Sequence, residues 1–213
     1  NGEWCTDTWL EFRDFVFQIA KSLIALGVES DDKICIYSYN RKEWFGSYAA
    51  TQMIGAIVTS VYHTCSSEEV EWIVKNSNSK IIFVGNNPND NNEKKKMPCH
   101  RILPVLETLD HIQHVVLMKD ISLSNHEKMV AWYDFINFGS DINESEIHTK
   151  LNNINENDTA SLIYTSGTTG NPKGVELTHA NWSFEVSRSQ EILEFNQGEK
   201  YVSWLPLAHV FGQ

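Results

Sequence analysis

The sequence predicts an α/β fold, layered βαβ units around a mostly parallel sheet, and three observations predict it. Short apolar runs of strand length alternate with stretches whose apolar residues recur every three or four positions. The stretches between successive strands are long enough to hold a helix, which is what a chain needs to return and start a parallel neighbour. The chain's 213 residues, 41% hydrophobic and 11% aromatic, have the composition of a globular protein able to bury a proper core.

Taken in order, Phe12, Phe15, Ile19, Leu23 and Leu26 form a helical stripe between Thr8 and Leu26, and Gly27 is its stop signal. Lys33 to Tyr39 (KICIYSY) is a buried strand. A helix from about Arg41 to Met53 leads through Gly55 into a second strand, Ala56 to Tyr62. Ser66 or Ser67, followed by Glu69 or Val70, resembles a capped helix start, and Glu68 and Glu69 suit the positive end of its dipole. That helix runs to about Asn76, and Lys80 to Val84 (KIIFV) is the third strand. A polar loop at 86–98, rich in Asn and Lys, interrupts the pattern as a mobile surface segment. His114 to Met118 reads as a strand and Ala131 to Phe138 as a short helix. The polar run from Asp141 to Asp158, with a helix around Ser145 to Leu151, divides a first subdomain (1–157) from the start of a second (158–213).

Charge and cysteine usage exclude several classes. With 17 basic and 28 acidic residues the net charge is -11, which repels nucleic acid and anionic lipid unless a local basic patch overrides it. The one dense basic cluster, Lys94-Lys95-Lys96, sits in the polar loop and reads as a solvated segment. Cys5, Cys35, Cys65 and Cys99 are widely spaced with no CxxC pair, so neither a zinc site nor a disulfide scaffold is expected. No residue is singled out as a metal ligand. Reduced thiols, no signal-peptide pattern and no apolar stretch near the ~20 residues that span a bilayer point to an intracellular protein, in the cytoplasm or on the cytoplasmic face of a membrane. The sequence opens on Asn1 and ends on Gln213 just past an apolar Pro-containing segment, and both ends read as cuts in a longer protein.

After a fifth apolar run, Thr159 to Tyr164, comes TSGTTGNPKG, Thr165 to Gly174. Gly167, Gly170 and Gly174 let the backbone bend and approach a ligand, and successive N–H groups in such a loop can form an anion-binding nest. Thr165, Ser166, Thr168 and Thr169 add hydroxyls, Lys173 adds a full positive charge, and Asn171-Pro172 turns the chain so that Lys173 folds back over the loop. This composition suits a polyphosphate. It is not a Walker loop, because Lys173 follows Pro172 and precedes Gly174 instead of opening a helix after Gly. Val175-Glu176-Leu177 reads as strand, so the loop joins two strands; the same residues are also compatible with a ligand-free Gly/Ser/Thr-rich hairpin.

YTSGTTGNPKGVELTH, Tyr164 to His179, closely resembles the phosphate-binding signature of the adenylate-forming superfamily, the group of acyl-CoA synthetases, luciferases and peptide-synthetase adenylation domains. Ala25 to Trp44, Gly55 to Val74 and Ser203 to Gln213 resemble family segments in the family's order. NRKEW (Asn40 to Trp44) and LPLAHVF (Leu205 to Phe211) look most like the long-chain fatty acyl-CoA synthetases, including the bubblegum-type relatives. From its own residues NRKEW reads as a strand-to-helix turn with a structural role.

The resemblance implies the large N-terminal domain of an AMP-forming synthetase, with ATP, Mg²⁺ and coenzyme A as reactants and a fatty acid as substrate. It implies that Thr165, Ser166, Gly167, Thr168, Thr169, Gly170 and Lys173 hold the nucleotide's phosphates, with Lys173 and His209 at the chemistry. His209, with Phe211 nearby, then borders the ATP and carboxylate site; by position alone it is a polar residue at a helix start. The family's later Tyr-Gly-x-Thr-Glu stretch, whose Glu binds Mg²⁺, its ribose-holding Asp and its small C-terminal domain with a catalytic Lys have no counterpart in these 213 residues. This piece by itself is therefore expected to have little or no ligase activity, and membrane association would come from other parts of the protein. Two rival readings stay open: a phosphate-binding or interaction module, and an adenylate former for a different carboxylic acid.

Overall fold

The computed structural model describes residues 5–87, 97–119, 121, 126–165, 170–193 and 198–213, leaving aside the side chain of Phe211. The polar loop expected at 86–98 falls for the most part outside the described residues.

The first helix, α1 (Trp9–Ala25), starts where Thr8 and Glu11 form a reciprocal capping box: the Glu11 carboxylate accepts from the Thr8 N–H at 2.7 Å, and the Thr8 hydroxyl accepts from the Glu11 N–H at 3.2 Å. Strand β1 (Lys33–Ser38), α2 (Lys42–Met53), β2 (Ile57–Val61), α3 (Ser67–Ser77) and β3 (Ser79–Gly85) follow as predicted, with bounds shifted by a residue or two. The cap of α3 is Ser66, whose hydroxyl accepts from the Glu69 N–H while the Glu69 carboxylate takes the Ser66 N–H at 2.7 Å. Beyond them come a short helix α4 (Pro98–Ile102) running into a 3₁₀ segment (Leu103–Thr108), then β4 (His114–Leu117), β5 (Met129–Ala131), α5 (Trp132–Phe138), α6 (Glu144–Asn152), β6 (Thr159–Thr165), β7 (Lys173–Thr178) and α7 (His179–Leu193).

The strands form one sheet in the order β5-β4-β3-β1-β2-β6-β7, parallel throughout except for the β6–β7 hairpin. From β1 the chain steps through α2 to β2 on one side, and from β2 it crosses back through α3 to β3 on the other. Right-handed crossovers in opposite directions put α2 and α3 on opposite faces of the sheet. Side chains alternate to match. Ile34, Ile36, Ile81 and Phe83 join α1, α2, α5 and α6 in one core, while Cys35, Tyr37, Ile82 and Val84 join α3, α4 and the 3₁₀ segment in the other. Each large apolar side chain removed from water contributes roughly 1.5–3 kcal/mol. Exposed ion pairs such as Arg13–Asp14 contribute about 0–1 kcal/mol each, so the two cores hold the fold.

Where adjacent strands send their connections to opposite faces, a crevice opens beyond their carboxyl ends. Here that point lies between β1, whose connection through α2 leads one way along the sheet, and β3, whose connection through α4 leads the other. Tyr39-Asn40-Arg41 leave β1 there, and Tyr62-His63-Thr64 and the Thr165 end of β6 follow at the carboxyl ends of the next two strands.

Candidate functional site

The β6–β7 hairpin brings the ends of the predicted phosphate loop together. Thr165 pairs with Lys173 across the antiparallel register, and both are exposed. Gly170 has φ +112°, a backbone conformation side chains rarely adopt, with open space where a Cβ would stand. Ser166, Gly167, Thr168 and Thr169 lie outside the described residues. Lys173 makes no side-chain hydrogen bond or ion pair with any described residue. The turn is held from below: the Trp72 indole N–H of α3 donates to the Pro172 carbonyl at 3.0 Å, and the Tyr164 hydroxyl donates to Asn76 Oδ1 at 2.7 Å. Neither Trp72 nor Asn76 was singled out in the sequence, since both read there as helix residues.

Between the end of β2, α3 and the turn of the hairpin runs a cleft of about 300 Å³ lined by Ser60, Tyr62, Thr64, Cys65, Glu69, Ile73, Tyr164 and Pro172. None of these residues is cationic. Burial pushes the Cys65 thiol up to about 11, with the neighbouring Glu69 charge adding to the shift, so it stays a neutral thiol near pH 7. Burial likewise pushes Tyr164 up to about 12 and keeps it a hydrogen-bond donor. At the rim, burial and then the Arg101 charge hold the His63 imidazole below its ordinary 6.5, with its ring 4.0 Å from that of Tyr39. The lining thus offers hydrogen bonds and an apolar floor. Lys173, exposed at the start of β7, brings a positive charge to the hairpin.

His209 reaches this edge by another route. Its ring packs edge-on against Tyr62 at 6.3 Å between centroids, so Tyr62 both lines the cleft and touches His209. A short 3₁₀ turn (Val210–Gly212) follows, tied by the Gly212 N–H to the His209 carbonyl at 2.8 Å. A Cβ on Gly212 would meet the Pro206 carbonyl oxygen at 2.2 Å, so only glycine lets this turn close on itself. The chain is tethered to the sheet at two places. Asn40 holds Leu205 and Leu207, and the Gln213 amide donates to the Ser60 hydroxyl at 3.2 Å. The reading of Asn40–Trp44 as a strand-to-helix turn holds, with Arg41 paired to Glu43 at 2.8 Å and donating to the Lys119 carbonyl at 2.8 Å.

Among the described residues, no group of three or more His, Cys, Asp or Glu side chains could hold a metal ion, and no helix is long and apolar enough to cross a membrane. All four cysteines are free thiols.

Comparison with known proteins accounts for this arrangement. The chain is 30% identical over 217 residues to the long-chain-fatty-acid–CoA ligase ACSBG2 of Gallus gallus; the match takes in 100% of the chain and 27% of that ligase. A natural red-emitting luciferase from Phrixothrix hirtus superposes with a TM-score of 0.74 at 20% identity, over 98% of this chain and 38% of its own. ATP-bound MatB from Rhodopseudomonas palustris gives 0.70 at 18%, over 96% and 36%. At those identities the two structures establish the fold. The model of the AMP-binding enzyme family matches residues 1–213, and the chain belongs to that family.

Proposed function

We propose that the protein containing this chain activates a long-chain fatty acid with ATP and passes it to coenzyme A, releasing AMP and pyrophosphate. The observation that carries the reading is the placement of the two ends of the signature loop, Thr165 and Pro172-Lys173, beside the cleft at the carboxyl edge of a parallel sheet. The choice of acid draws support from the naming of the Gallus gallus relative as a long-chain-fatty-acid–CoA ligase.

In the first step a carboxylate oxygen attacks the α-phosphorus of ATP. The bond to the bridging oxygen breaks, and pyrophosphate leaves with the electron pair. In the second, the thiolate of coenzyme A attacks the acyl carbon and AMP departs. The first step brings an anion toward a polyanion: two unit charges ~4 Å apart repel by about 4 kcal/mol at an effective dielectric near 20. A chain with net charge -11 supplies no general relief. In this reading the Lys173 ammonium, the hydroxyls of Thr165, Ser166, Thr168 and Thr169, and the N–H groups at Gly167 and Gly170 hold the β- and γ-phosphates. They gain strength as charge builds on the leaving pyrophosphate. His209 borders the nucleotide and the carboxylate. No base is assigned, since a carboxylate nucleophile needs none. Mg²⁺ accompanies the nucleotide as a counter-charge, and no described residue is assigned to it. The second subdomain of this scheme starts at residue 158, so that its first hairpin carries the loop.

The test is fatty-acid-dependent ATP–pyrophosphate exchange in the full-length protein, across short, aryl, amino and long-chain acids. Exchange that requires a long-chain acid and falls on the order of 10²-fold with Lys173→Ala is expected. The 213-residue chain alone should give little or none. No exchange with any carboxylic acid would overturn the synthetase reading, and exchange only with another class of acid would replace the substrate.

A further inference from the structure

We infer that Asn40 is a positioning residue for the adenylation step, acting through the segment that carries His209; the inference rests on the synthetase reading above. Asn40 stands at the carboxyl end of β1, at the switch point of the sheet. Its amide nitrogen donates to the Leu205 carbonyl at 2.6 Å, and its amide oxygen accepts from the Leu207 N–H at 2.8 Å. A carbonyl demands a donor and an N–H demands an acceptor, so only one orientation of the amide satisfies both. The side chain imitates a strand neighbour, gripping residues two apart on a segment 165 positions later in the chain.

The grip is well placed to set the position of His209. The approach to Leu205 is loose, with Tyr201, Val202 and Trp204 each about three-quarters exposed. Asn40 is therefore a firm anchor on the way in, and directly past it Leu207 and Ala208 are buried. The His209 N–H donates to the Pro206 carbonyl at 2.9 Å, and the Gly212 close approach locks Pro206 to Gly212 into one tight unit. Holding Leu205 and Leu207 thus fixes where the His209 backbone stands, while Tyr62 and the Gln213–Ser60 contact fix the far side.

The residues on either side of Asn40 are themselves held. The Tyr39 N–H donates to the Gly85 carbonyl at 3.3 Å, the Ser38 hydroxyl donates to the Tyr39 carbonyl at 2.8 Å, and Arg41 is pinned to Glu43. A group needed within about half an ångström of its working place requires such a supporting shell. Displacement of reacting parts by about 1 Å is enough to cost on the order of 10²-fold in rate.

Two substitutions in the full-length protein test this. Asn40→Ala removes both bonds, while Asn40→Asp keeps the volume and the acceptor for Leu207 but sets a carboxylate oxygen against the Leu205 carbonyl. Hydrogen exchange at the Leu207 amide, which does not depend on activity, should lose protection in Asn40→Ala. In ATP–pyrophosphate exchange, kcat should fall tenfold or more in both variants, with KM for ATP changed far less. Asn40→Ala should add little further loss in a His209→Ala background, because the two act through one part. Retained protection at Leu207, an equal loss in both backgrounds, or a loss confined to KM overturns the positioning role. Absence of exchange in the unaltered protein sinks the synthetase reading and this role with it. Unchanged kinetics in the Asn40 variants of an active protein sinks only the role.

Discussion

Arg41 and Glu43 form an ion pair whose side chains are only 8% and 11% exposed, where a broken partnership leaves a charge with little water to receive it. The Arg41 guanidinium also holds the Lys119 carbonyl, so the pair ties the end of β1 to the segment beyond β4. Glu43→Ala is expected to destabilise the fold by about 3 kcal/mol, the lower end for removing one member of a buried pair. Urea unfolding measures it, and a loss below about 1 kcal/mol would mean that water reaches the guanidinium. At this scale the sequence was informative where chemistry is carried by composition. The threonines, glycines and lysine of the 165–174 loop carry the proposal of a polyphosphate ligand, because few other ligands need so many hydroxyls and N–H groups at once. It was silent where a role depends on distant partners. Nothing local marks Asn40 as the holder of Leu205 and Leu207, or Trp72 as the support of Pro172, since an Asn in a turn and a Trp on a helix are ordinary.

Among the elements, α3 does most to shape the site, since it carries both Trp72 and Asn76 beneath the hairpin. Trp72→Phe keeps a ring against the hairpin and removes only the N–H that grips the Pro172 carbonyl. We expect ATP affinity to fall roughly fivefold, the equivalent of about 1 kcal/mol for one hydrogen bond, with the thermal midpoint almost unmoved. Isothermal titration of the full-length protein with ATP decides it; equal affinity would show that the loop keeps its shape unaided. Two of the helices that the sequence predicted carry strong local signals. α1 and α3 have capping boxes with partners three residues apart, and each has a buried apolar stripe. α7 has none of its residues buried, so no stripe exists to be read. β5 has only three residues, and the Pro98–Thr108 segment is a short helix merging into 3₁₀ turns, below the length at which periodicity speaks.

For the molecule as a whole, acid should weaken the fold in two stages. Burial holds His63, His114 and His179 below the ordinary 6.5, although Asp158 opposes the shift at His179. The unfolded chain therefore takes up protons before the folded one. The stability these histidines leave intact above about pH 6.5 is lost as pH falls toward their folded values. Glu11, Glu68 and Glu71 are lowered by hydrogen bonds, so their contribution is lost only further down, below the ordinary 4.5. Melting temperatures should fall between about pH 7 and pH 5, and His63→Gln with His114→Gln should flatten that slope. A slope identical in the double variant would assign the effect elsewhere. The parallel sheet was legible because β1, β2 and β3 are short runs rich in apolar residues; which strand neighbours which was not, since strand order depends on contacts between distant parts of the chain. That order also has a consequence in time. β2 waits for β6, with Val58 facing Ser161, and at ~5–20 residues per second the ribosome needs about 5–20 s to make the residues in between. For that interval the nascent chain carries an apolar strand with a bare edge, open to any neighbouring chain that offers one, and the clasp at Asn40 closes only after that edge is covered.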